Sequence, residues 1–204
     1  AAVSFEKKKG LYTDMSENYW GYENIEECTS RGWLKAFDGE EFLPETAVTY
    51  EEAVKTVSLY ADREIKTELS EKYADGDNAI TRADALYLLM SALDYVKEKD
   101  TANPFLIINA YTDYESISED MQPFFSLATS KGIISGYGDK TAKPDKALTR
   151  AQLAAMLCNA EKAKAKNALR DNFTKRFGIS ETNAIGEEDA LLLQSTGDYF
   201  ILDI

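Results

Sequence analysis

The sequence predicts a mainly α-helical fold: a helical bundle with loops, built from a repeated module, with a short β element at the termini. Three observations predict it. A unit in residues 12–61 recurs in residues 111–161. Three amphipathic runs each open with a threonine that can cap a helix. Tyr199-Phe200-Ile201-Leu202, introduced by Gly197-Asp198, is rich in β-formers and reads as a strand.

The elements follow in order. Residues 1–10 form an N-terminal segment in which Val3–Phe5 is a candidate partner for the terminal strand. Residues 11–61 form the first module. Tyr12-Thr13-Asp14 opens it, and Tyr19, Tyr22, Ile25 and Cys28 recur at intervals of three, which predicts a helix over 19–31. Gly32 is its expected stop residue. Pro44 lies in the following loop, and Thr49 with Glu52 forms a capping-box pattern ahead of Ala53, Val54, Val57 and Ala61.

Residues 62–107 form a truncated second module. Ile65, Leu69 and Tyr73 predict a short surface helix, and Asp75-Gly76-Asp77-Asn78 a turn. The turn mimics a calcium loop but lacks the spaced ligands and the closing Glu. Ile80-Thr81-Arg82-Ala83-Asp84 then repeats the capped element, with Asp84 one carbon short of the usual N3 side chain. Ala85, Leu86, Leu89 and Leu93 make its apolar face.

Residues 108–168 form the third module. Tyr111-Thr112-Asp113 opens it, Met121, Phe124, Phe125 and Ala128 predict a helix over 121–131, and Gly132 ends it. The loop Gly136-Tyr137-Gly138-Asp139 and Pro144 precede the Thr149/Gln152 cap, and Leu153, Ala154, Leu157 and Ala160 form the buried stripe. Three one-faced helices of this kind suggest a shared bundle. Residues 161–168 extend the last helix into solvent. Residues 169–204 match no module and carry a helical candidate, Ser180 to Gln194, and the strand.

The repeat is ungapped over its main part. With an offset of 100, Gly32 matches Gly132, Trp33-Leu34 matches Ile133-Ile134, Phe37 matches Tyr137, Pro44 matches Pro144 and Val57 matches Leu157. Repeats of about 50 residues mean stacked or symmetric supersecondary units.

Composition excludes several functions. The chain has no histidine, which removes Ser-His-Asp and Cys-His activation and His-containing zinc sites. A net charge of −13 disfavours non-specific binding to nucleic acid. No stretch of roughly 18 apolar residues is present to span a membrane. Cys28 and Cys158 allow one disulfide but read first as small buried hydrophobes. Residue 1 is Ala, so the chain reads as a mature product or a trimmed one. No catalytic residue, metal or cofactor is expected.

The string Gly132-Ile133-Ile134-Ser135-Gly136-Tyr137-Gly138-Asp139-Lys140-Thr141-Ala142-Lys143-Pro144, followed by Leu148-Thr149-Arg150-Ala151-Gln152, resembles the S-layer homology module. The family pattern reads roughly GI-x-GY-x-DGTF-x-P and then ITRAE. Ile80-Thr81-Arg82-Ala83-Asp84 looks like the same ITRAE element. The resemblance covers about residues 11–163. Tyr50 stands where the family's Arg would be, and Lys140 and Ala142 replace the Gly and Phe of the loop.

The resemblance implies three modules in pseudo-threefold symmetry around a central helical bundle. It also implies a non-catalytic, secreted domain at the bacterial cell surface. The implied partner is cell-wall polysaccharide, often pyruvylated, or peptidoglycan, held in grooves between modules, with other surface proteins as further partners. No nucleic acid and no membrane insertion are implied. The ligand-binding positions carried over are Arg82, Arg150, Gly136, Tyr137, Asp139 and Tyr50. Arg82 and Arg150 follow the cap, beside helical N–H groups that suit an anion. Their alternative use is an ion pair with a loop acid such as Asp77 or Asp145. The alternative function is a structural or protein-interaction module that keeps the fold without polymer binding.

Overall fold

The computed structural model describes residues 8–35 and 40–177, and everything below concerns these. Contacts divide the chain into two units, residues 1–160 and 161–204. The proposed β element at Val3–Phe5 and 199–202 and the helix at 180–194 lie outside the described residues, as does Phe37.

The capped threonines build the frame. Thr49 starts α2 (Tyr50–Ala61), Thr81 starts α4 (Arg82–Ala92) and Thr149 starts α7 (Arg150–Phe177). Each hydroxyl accepts the N–H three residues on: Glu52 at 3.1 Å, Asp84 at 3.2 Å and Gln152 at 3.4 Å. The residue before each threonine joins a closed ring. The Val48 N–H donates to Leu148 O at 2.8 Å, Leu148 N–H to Ile80 O at 3.0 Å, and Ile80 N–H to Val48 O at 2.9 Å. Three antiparallel bridges flank the ring, Ala47 to Thr149, Thr49 to Ala79, and Thr81 to Ala147. Val48, Ile80 and Leu148 are fully buried, so these bonds close in a dry interior. This is the pseudo-threefold arrangement, and the truncated middle copy is a full member of it.

The ring also feeds the helices. The first two N–H groups of each find carbonyls in another copy's loop. Tyr50 and Glu51 donate to Asn78 O and Gly76 O, Arg82 and Ala83 to Lys146 O and Pro144 O, and Arg150 and Ala151 to Thr46 O and Pro44 O. A helix N-terminus has orphan donors. Here the first three of each are consumed, two by a neighbouring copy and one by the threonine. The expectation that free N–H groups lie beside Arg82 and Arg150 is therefore corrected.

The shorter elements complete each full copy. Helix α1 (Tyr22–Ser30) ends at Gly32, and α6 (Gln122–Ser130) ends at Gly132. Both glycines have the positive φ, 76° and 69°, that lets a chain leave a helix at low cost. The opening motif has a clear physical role. Asp14 accepts the N–H groups of Phe42 and Leu43 at 2.9 and 2.7 Å, and Asp113 those of Ala142 and Lys143 at 2.6 and 2.9 Å. Leu43 and Lys143 are held at φ of 54° and 47°, where a side chain is strained. Two charge-assisted bonds per carboxylate hold that bend.

Two expectations for the middle copy change. The stretch 62–79 contains only the single turn α3 (Leu69–Lys72), because Ile65 and Tyr73 are drawn inward and buried. Helix α4 is not one-faced. Leu86, Leu88, Leu89 and Met90 are all fully buried, since α2, α6 and the turn at Tyr95–Thr101 pack around it. Helix α5 (Pro104–Ala110) links to the third copy and packs on α6.

Asp84 shows how the short N3 side chain is accommodated. The Tyr73 hydroxyl accepts the Thr81 N–H at 3.1 Å and donates to Asp84 Oδ2 at 2.6 Å, bridging the missing carbon. Lys72 and the Thr81 hydroxyl donate to the same oxygen, each at 2.7 Å. Burial alone would raise the Asp84 carboxyl, but these bonds outweigh it and hold the group below its ordinary value.

Asp113→Ala, by stranding two N–H groups at a strained bend, is expected to lower the unfolding free energy by about 2–3 kcal/mol in urea titrations. A depressed carboxylate stabilises the fold above its unfolded value and loses that contribution as pH falls through the folded one. Stability therefore drops below about pH 4. Asp84→Asn is expected to flatten that part of the pH dependence of the urea midpoint.

Candidate functional site

Each helix start abuts a loop of a neighbouring copy, so the ring creates three comparable junctions. Arg150 meets Glu52. Its side chain is only 3% exposed and forms an ion pair with Glu52. Its Nε donates to Phe42 O at 2.8 Å, a second nitrogen donates to Lys35 O at 2.5 Å, and the guanidinium lies 4.5 Å over the Phe42 ring. Arg150 is thus committed to the first copy, and its acid partner is on a helix rather than the loop acid Asp145.

Tyr50 meets Asp84. It stacks on Tyr73 with ring centroids 4.9 Å apart and planes 6° from parallel. The two rings occupy this junction beside the Tyr73–Asp84–Lys72 cluster already described.

Arg82 meets Gln152, a neutral residue. Among the described residues its side chain makes one hydrogen bond, from a terminal nitrogen to Ser135 O at 2.8 Å. The guanidinium lies 5.1 Å over the Tyr137 ring. Arg82 is 7% exposed, and its Nε is buried without a hydrogen-bond partner. No acid pairs with it among the described residues. A buried cation in this state is costly unless a counter-charge arrives.

This junction opens into a groove of about 320 Å³, lined by Trp20, Glu45, Arg82, Ser135–Tyr137, Gln152 and Asn159 among others. Its lining carries one charge of each sign, Arg82 and Glu45, and further cations lie nearby. Lys143 and Lys146 also approach the Tyr137 ring, at 4.7 and 5.0 Å, in a chain with a net charge of −13. Trp20 stands at the groove 57% exposed.

The six residues singled out from the sequence separate accordingly. Arg82, Gly136 and Tyr137 come together in this groove. Arg150 and Tyr50 each lie in a different junction. Asp139 is exposed on the adjoining turn, where it accepts from the Thr141 N–H at 3.1 Å and pairs with Lys143 at 2.8 Å. That pairing, followed by the Thr141 bonds, holds its carboxyl well below the ordinary value. Trp20 and Gln152 were not anticipated as groove residues. Trp20 falls off the apolar spacing expected over 19–31 and lies in the turn before α1, and Gln152 read as a cap, a role it also plays through Oε1 and the Thr149 N–H at 3.3 Å.

The family model of the S-layer homology domain matches residues 11–54 and 110–154, and these two segments are similar to S-layer homology modules. Domains of this family are generally non-catalytic modules that anchor proteins to the cell wall, and they imply association with the cell surface. No curated protein matches the chain. Among the described residues no helix is long and apolar enough to cross a membrane.

Arg150→Ala strands Glu52 and is expected to cost about 3–5 kcal/mol of stability. Arg82→Ala, which removes one neutral acceptor bond and a ring contact, is expected to cost about 1–2 kcal/mol. Urea unfolding of both variants checks the order, and equal losses would contradict the difference between the junctions.

Proposed function

We propose that this domain anchors its protein to the cell wall by holding an acidic group of a wall polysaccharide in the Arg82 groove. The observation that carries the reading is the unmatched Arg82 guanidinium, buried beside Tyr137 with Nε unused. A carboxylate, such as a pyruvyl substituent, suits the planar fork of an arginine. Lys146 adds attraction at the same ring, while Lys143 is paired with Asp139. The domain is then effectively monovalent: Glu52 neutralises the Arg150 junction, and in the third the Lys72 cation is already paired with Asp84.

Those two closed junctions favour a second reading, a structural or protein-interaction module that keeps the frame without binding polymer. Co-sedimentation with purified wall sacculi, before and after extraction of the secondary polymer, separates the two. Anchoring predicts that the intact chain sediments only with unextracted sacculi. Arg82→Ala is expected to weaken that binding roughly 30-fold or more. Gln152→Glu, which gives Arg82 an internal partner like Glu52, is expected to weaken it as well while leaving the fold intact. Failure of the folded intact chain to sediment supports the second reading.

A further inference from the structure

The structure assigns Cys28 and Cys158 as a disulfide-forming pair, a covalent staple between the first helix of the first module and the last helix of the third. The two sulfurs lie 3.5 Å apart, on α1 and α7, and both residues are buried, 0% and 1% exposed. The approach is reciprocal. Cys28 Sγ donates to Ala154 O, and Cys158 Sγ donates to Asn24 O, each at 3.5 Å. Each of those carbonyls lies four residues before the other cysteine, so the helices cross with both side chains facing the crossing. A disulfide needs about 2.04 Å between sulfurs. Closing the remaining distance takes a shift within the reach of side-chain rotation and a small helix adjustment.

Two thiols alone are too few ligands for a structural metal, and no metal-holding cluster occurs among the described residues. Neither cysteine lines the Arg82 groove, so the inference is independent of the proposed anchoring.

The chemistry balances with a disulfide oxidant such as oxidised glutathione. One cysteine thiolate attacks a glutathione sulfur, breaks the glutathione S–S bond and expels one glutathione thiolate. The second cysteine thiolate attacks the mixed disulfide, forms the Cys28–Cys158 bond and expels the other. The two protons lost by the cysteines end on two reduced glutathiones. The hydrogen bond with Cys158, followed by burial, pushes the Cys28 thiol up in the folded chain, so the thiolate is scarce there. Bond formation therefore belongs to folding, before the crossing closes over the sulfurs.

The link would enclose a loop of 130 residues, large enough to restrict the unfolded chain strongly. The test refolds the full chain in a buffer of oxidised and reduced glutathione and reads thiol titre, intact mass and Tm. The expected product is monomeric, without titratable thiols in denaturant, lighter by two hydrogens, and with a peptide map joining Cys28 to Cys158. Dithiothreitol is expected to lower its Tm by roughly 5–15 °C, with no such shift in Cys28→Ser or Cys158→Ser. Two persistent thiols, glutathione adducts in place of the link, or a Tm indifferent to dithiothreitol would overturn the assignment.

Discussion

Everything in the described unit depends on three backbone hydrogen bonds that close on themselves. Val48, Ile80 and Leu148 each donate once and accept once within the ring. A buried peptide group must find a partner, and here each partner belongs to a different copy. The ring sets the directions in which α2, α4 and α7 leave it. It also brings each copy's loop carbonyls onto the next helix start. The helix starts are thereby saturated, which leaves side chains as the means of holding an anion.

On that symmetric frame the chemistry is asymmetric. The first and third helical residues that share the three junctions are Arg150 with Glu52, Arg82 with Gln152, and Tyr50 with Asp84. The same geometry gives a neutralised pair, an unmatched cation and an aromatic stack. One methylene and one amide account for much of this. Asp84 is too short to cap Thr81 and recruits Tyr73, whose ring then receives Tyr50. Gln152 caps Thr149 and cannot neutralise Arg82.

Much of the frame was legible in the sequence because its signals are local. A threonine with a carboxylate or amide three residues on specifies a helix start wherever it occurs, and Gly32 and Gly132 specify the stops. The closure of the ring was not legible, since it depends on three segments meeting that are distant along the chain. For the same reason Glu52, from the first module, was not anticipated as the partner of Arg150. The period of α4 hid its burial: a helix covered by α2, α6 and the 95–101 turn carries apolar residues all round, and the one-faced count saw part of them. Trp20 was missed because its exposure at a groove is a property of what surrounds it.

A ring has no first member. The order of the copies along the chain enters only through the connecting segments, which have merely to be long enough to reach. The middle copy shows how little that can be: it keeps its ring residue and its capped helix while most of the leader found in the other two is gone. Shortening or reordering such units would leave the architecture in place as long as three ring residues still meet. Such a protein is free to lose a binding junction, or to alter one, without endangering the scaffold that carries the rest.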